Sequence, residues 1–124
     1  MIDVPHNLAA GEYSSGSTDA TKLEMAQNRF AIAFASEAAV EYGMPKETFD
    51  RSGKTNAAAT ARGMKLNQGF GASLAANGEP HTFLDQAQMR ELTGTDYYLG
   101  GLYTPGAVTI QPADYIRTFA AGLS

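Results

Sequence analysis

The sequence predicts a mainly α, α+β fold: a small helical domain packed around one central buried helix (about 21–42), with one β-hairpin (about 96–110) and an extended N-terminal arm. Three observations carry this. The stretch from Thr21 to Tyr42 is rich in alanine and punctuated at both ends. Residues 1–20 hold Pro5, Gly11, Gly16, Ser14, Ser15 and Ser17, with apolar residues too scattered to offset the entropy of ordering them. From Asp96 onward, aromatic and β-branched residues flank Pro105-Gly106. The chain thus divides into an arm over 1–20 and a single globular domain over 21–124.

Thr21 followed by Glu24 has the spacing of a capping box, and Gly43 with Pro45 ends the helix through a left-handed cap and a missing donor. Leu23, Phe30 and Phe34 fall on one face, and Met25, Ile32 and Ala39 on another. Two apolar faces predict burial on more than one side, with the uncharged run Phe30–Ala35 at the centre of the fold. Pro45–Arg51 reads as a short helix with proline in its first turn, closed by Ser52-Gly53. Residues 56–66 read as a second helix interrupted by Gly63, Gly69-Phe70-Gly71 as a flexible connection, Ser73–Ala76 as a single turn, and Asn77-Gly78 as its stop. Thr82 caps the next helix, with Asp85 in its first turn and Gly94 past its end. Pro-Gly suits the centre of a type II turn, so 96–110 reads as a hairpin with a bulge at Gly100-Gly101. Pro112 opens a last helix in which Tyr115, Ile116 and Phe119 share a side, ending at Gly122.

With 124 residues the chain is one domain by length, and it needs no metal or disulfide to bury a core. The absence of cysteine excludes disulfides, thiolate metal sites and a cysteine nucleophile. Charged residues make up 18%, below the roughly 25% of an average domain, so part of the surface is expected to be covered by another protein. The start lacks a basic segment followed by an apolar run, and nowhere do apolar residues run on long enough for a membrane span. The expectation is a soluble protein without a secretory signal, cytoplasmic or in a virus particle, with no membrane partner. The net charge of -4 disfavours nucleic acid, although Lys46, Arg51, Lys54, Arg62 and Lys65 stand against only Glu47 and Asp50 in the middle of the chain. That basic segment reads as complementary to the acidic flank of a neighbouring subunit.

Ser52-Gly53-Lys54-Thr55 ends like a phosphate-binding loop, yet Thr48 stands where the earlier glycine belongs. Gly71-Ala72-Ser73-Leu74-Ala75 approximates a nucleophile elbow without a strand to mount it. Glu79, His81 and Asp85 are the one cluster of titratable groups with a histidine, and His6 is too distant in sequence to complete a metal site. Tyr97, Tyr98 and Tyr103 suggest a stacking platform, but alternation along a strand would separate Tyr97 from Tyr98, so a core or interface role fits them better.

No catalytic, cofactor-binding or metal site is assigned, and no cofactor is implied. The residues together describe a non-enzymatic structural or interaction subunit of a larger homo- or hetero-oligomeric assembly, such as a phage or viral particle. Its arm would contribute Ile2, Val4, Leu8 and Tyr13 to subunit contacts, and its hairpin Tyr97, Tyr98, Tyr103 and Val108. Two alternatives are a small hydrolase or lyase using His81 with Glu79 or Asp85 as its acid/base pair, and a small inhibitor that binds a larger partner.

Overall fold

The computed structural model describes residues 2–4 and 19–123. Among these lie four helices and two small sheets, a mixed α+β architecture. The order is β1 (Ile2–Asp3), α1 (Asp19–Glu41), β2 (Phe49–Asp50), β3 (Lys54–Ala58), α2 (Ala61–Ala76), β4 (Thr82–Leu84), α3 (Gln86–Thr93), β5 (Gly100–Thr104), β6 (Ala107–Ile110) and α4 (Pro112–Gly122). The sheets run β1-β6-β2 and β3-β5-β4, and every strand pairing is antiparallel.

The expected hairpin is not one. β5 and β6 are consecutive and joined at Pro105-Gly106, but they enter different sheets: Tyr103 faces Thr55 and Thr82, whereas Val108 faces Ile2. Each strand finds its partners elsewhere, and the Pro-Gly pair forms a corner between sheets. Gly100 and Gly101 lie in register with Ala58 and Ala57, so no bulge interrupts them there.

The core has two parts. Val4, Met25, Ile32 and Val108 pack together between α1 and the first sheet, with Phe49 and Ile110 against them. Phe70, Leu74 and Leu102 pack between α2 and the second sheet. The first cluster uses one face of α1, that of Met25, Ile32 and Ala39. The other face is open: Phe30 is 74% exposed, and Leu23, Phe34 and Val40 are exposed with it. The expectation of a central helix buried on several sides is therefore corrected to a helix buried along one face, with a second apolar stripe left exposed among the described residues. α1 also begins at Asp19, which puts Thr21 inside the first turn rather than at the cap.

Other boundaries moved for local reasons. Pro45–Thr48 is a turn leading into β2, not a helix, because Phe49 and Asp50 are drawn into pairing with Ile110 and Thr109. Asn56–Ala58, predicted helical from alanine content, is strand: pairing with Leu102–Gly100 overrides propensity. Helix α2 starts later, where Thr60 accepts from the Gly63 backbone N–H at 3.1 Å, and then runs through the supposed connection at Gly69-Phe70-Gly71. Gly71 lies against the Phe83 ring, where a Cβ would clash unless the ring shifted. Thr82 opens β4, and Asp85 caps α3 in a capping box with Gln88. The stops at Gly43, Gly78 and Gly94 lie where expected, all with positive φ. Helix α4 opens at Pro112 and lies on α1, where the Tyr115 hydroxyl donates to Ala35 O at 2.9 Å and the Tyr42 and Phe119 rings meet edge to face at 5.4 Å. Among the described residues, no helix is long and apolar enough to cross a membrane.

Candidate functional site

Two places concentrate polar side chains. The first is the corner where the sheets meet. Glu79 is brought there by the end of α2: Gly78 turns the chain with φ of 68°, and the Glu79 backbone N–H returns to Leu74 O at 2.9 Å, an end motif that satisfies a helix-terminal carbonyl. The Glu79 side chain is buried, and Arg29 Nη2 of α1 donates to its Oε2 at 2.5 Å. Its other oxygen lies where a side chain on Gly106 would intrude, 2.9 Å from the position of a Cβ. Beside it, Asp3 of β1 pairs with Lys54 of β3, whose ammonium also sits 5.6 Å from the centroid of the Phe70 ring. Two buried carboxylates are thus balanced by two cations from separate parts of the chain, of which Arg29 reaches in from the solvent side.

Burial pushes the Glu79 carboxyl above its ordinary value; the Arg29 charge opposes this, Asp3 adds to it, and the hydrogen bond from Arg29 opposes it again. Asp3 Oδ1 and Thr104 Oγ1 are buried in the same region without a hydrogen-bond partner among the described residues. The Glu79 carboxyl therefore holds its proton to higher pH than a solvated one. The cluster also fixes the register of β1, β3 and the corner relative to α1.

The second place is an open pocket of about 480 Å³ between α2, β4, α3 and β5. Met64, Phe83 and Leu84 make its apolar walls, and Asn67, Gln68, Gln88 and Asp85 supply amides and one carboxylate. Part of this polar capacity is committed: Asn67 Nδ2 donates to Asn56 O at 2.8 Å, and Asp85 Oδ1 accepts from the Gln88 backbone N–H at 2.8 Å. Its chemistry suits a ligand with hydrogen-bond donors on an apolar body. Among the described residues, no group of three or more His, Cys, Asp and Glu could hold a metal ion.

The residues singled out in the sequence fare differently. Glu79, His81 and Asp85 do not converge: Glu79 pairs with Arg29, Asp85 caps α3, and His81 Nδ1 lies 3.0 Å from the Glu79 backbone oxygen. Lys54-Thr55 is in strand β3 and Ser73 is buried within α2, so neither the phosphate-loop nor the elbow geometry exists. Tyr97 and Tyr98 meet edge to face at 5.2 Å before β5, while the Tyr103 hydroxyl donates to Ser52 O at 2.8 Å. Val4 and Val108 are buried against each other's cluster, and the backbone of Ile2 pairs with Val108. Leu8 and Tyr13, with the rest of the expected arm from residue 5 to 18, lie outside the described residues.

Sequence reasoning missed the Arg29–Glu79 and Lys54–Asp3 pairs. One signal was available: Met25, Arg29 and Ile32 share a helical face, and a cation on a buried apolar stripe calls for a carboxylate partner. Which carboxylate, fifty positions away, the spacing could not say.

The structure is similar to a crystal structure of glycine oxidase from Geobacillus kaustophilus, with a TM-score of 0.69 at 16% identity, over 96% of this chain and 31% of that one. The chain thus spans about a third of the length of that relative. No curated protein matches by sequence. A family model described as DAO, FAD dependent oxidoreductase, matches residues 7–124. This match overturns the expected non-enzymatic structural subunit, and with it the phage or viral particle and the hydrolase, lyase and inhibitor alternatives. With the match running over nearly its whole length, the chain belongs to the family of FAD-dependent oxidoreductases.

Proposed function

We propose that this chain is the substrate-side portion of an FAD-dependent oxidoreductase acting on a small amine or amino acid. The match of the family model to residues 7–124 carries the reading. The name of the structural relative, glycine oxidase, supports the substrate class.

The cofactor itself does not fit the described residues. A dinucleotide cradle needs a parallel strand leading through a glycine-rich turn into a helix N-terminus. All strand pairings here are antiparallel. The one pair of glycines at the first spacing of the G-x-G-x-x-G fingerprint, Gly69 and Gly71, lies inside α2, and Leu74 stands at the third position. The FAD phosphates are accordingly held outside these residues, by a nucleotide-holding portion. The place for that portion is the open apolar face of α1 and α4: Phe34, Tyr115, Ile116, Phe119 and Leu123 line a groove of about 340 Å³ there, and Leu23 and Phe30 extend it along α1. The share of the relative that this chain leaves uncovered supports a partner of that kind. The pocket beside Phe83 and Asp85 is then the candidate for the substrate.

The test is to isolate this chain from its native cells under non-denaturing conditions and follow flavin absorbance. FAD should elute with the chain, and anaerobic addition of a panel of amines and amino acids should bleach it with at least one of them. A chain that elutes without flavin, whatever its partners, refutes the proposal.

A further inference from the structure

A groove of about 240 Å³ opens beside the buried corner, between α1 and the Pro105-Gly106 turn, apart from the pocket assigned to substrate above. Its floor is apolar, made by Val4, Ile32 and Val108, and three charged side chains, Arg29, Arg51 and Glu79, line it. Arg29 is neutralised by Glu79. Arg51 is not matched in this way: the hydrogen bond it makes is to Ser36 Oγ at 3.3 Å, and no carboxylate among the described residues pairs with it. The adjacent Asp50 carboxylate accepts from the Ser52 backbone N–H at 3.1 Å and stands 4.0 Å from Lys46.

Among the described residues the groove therefore carries one uncompensated positive charge above an apolar floor. A guanidinium offers five N–H donors in a fork that matches a carboxylate, and one of those on Arg51 is directed at Ser36. A single net charge matches a monoanion better than a dianion, because Glu79 would repel the second negative charge. A groove of this volume has room for a carboxyl group on a short aliphatic chain. From this we infer that the groove is a binding site for a small aliphatic monocarboxylate, its carboxyl on Arg51 and its chain on Val4, Ile32 and Val108. The inference is independent of where the flavin is held.

Butyrate is the probe, titrated into the full chain at constant ionic strength and followed by calorimetry or by chemical-shift changes of the Val108 and Ile32 methyl groups. Butyramide, of the same shape without the charge, and inorganic phosphate serve as comparisons. Butyrate should saturate, with the shifts confined to the groove, and should bind at least about tenfold more tightly than either comparison. Arg51→Gln should weaken it by about tenfold, the loss of one charge-assisted contact of about 1.4 kcal/mol. Ala33→Met, on the exposed side of α1 at the groove's edge, should block binding without changing charge, and Lys65→Gln should leave it unchanged. Failure of butyrate to saturate, equal binding of butyramide, or an Arg51→Gln variant within twofold of the parent would overturn the assignment.

Discussion

Replacing Arg29 by methionine tests the reading of the buried corner most directly, because the cost should depend on pH in a direction the structure dictates. Glu79 is 5% exposed and Arg29 is its ion-pair partner. Breaking a buried pair by removing one partner costs about 3–5 kcal/mol. The Arg29 side chain is 56% exposed, so solvent already screens part of the attraction, and about 2 kcal/mol at pH 7 is the expected loss. For a chain of this length that lowers Tm by about 8 °C.

The sign follows from linkage. Folding raises the Glu79 carboxyl above 4.5, so between that pH and its folded value the native state binds more protons than the unfolded one, and stability falls as pH rises. The stabilising contribution is fully present below 4.5 and is lost as pH rises through the raised value. Arg29→Met removes the charge that holds this rise back; the window widens upward and the fall steepens. Below pH 4.5, with Glu79 protonated in both states, the variant should approach the parent. Denaturant unfolding of parent, Arg29→Met, Glu79→Gln and the double variant from pH 4 to 8 measures this, with Glu79→Gln recovering most of the loss in the double variant. A penalty for Arg29→Met that is the same at every pH, or that Glu79→Gln does not relieve, would refute the account.

Other substitutions address the remaining structure. Gly53 has φ of 82°, and a Cβ there would sit 2.6 Å from the Thr104 backbone oxygen; Gly53→Ala should cost about 2–4 kcal/mol in equilibrium unfolding, combining left-handed strain with overpacking. Asp85→Ala removes the side-chain half of the α3 capping box and should cost about 1 kcal/mol, read by thermal melting. Tyr115→Phe loses the bond to Ala35 and should cost about 1 kcal/mol by the same assay, with burial keeping the parent phenol protonated beyond its ordinary value of 10.0. Phe34→Asp, on the open face of α1, should leave the stability of the isolated chain within about 0.5 kcal/mol while abolishing co-elution with flavin.

The parts of the fold legible in the sequence were those set by local chemistry. Gly43, Gly78 and Gly94 ended their elements because positive φ at a helix end is a local demand, and Pro112 opened α4 because its missing N–H costs nothing there. What escaped was decided across the chain. Asn56-Ala57-Ala58 has helical propensity and became strand because β5 was available to pair with it. Pro105-Gly106 is strong turn chemistry, and it made a turn, but no local signal says whether the strands on either side pair with each other or with Ile2 and Thr55. The burial of α1 was misjudged for a different reason: two apolar stripes mean two contacts, and one of them is not met among the described residues. Of the candidate site, Glu79 was singled out for the wrong partners, and Arg29 lay unmarked on the stripe that held it.

The corner at Pro105-Gly106 also bears on the order of folding. The second sheet joins Thr55 to Tyr103, roughly fifty residues apart, whereas the first joins Ile2 to Val108, roughly a hundred apart. Doubling a loop adds only about 0.6 kcal/mol of closure entropy, but the two-residue β1 offers few contacts to offset it. Since β6 also pairs with β2, roughly sixty residues away, it is in place as a template on which β1 docks last. In the native state the same strand is the first to detach, and amide exchange at Asp3 should be the fastest in either sheet.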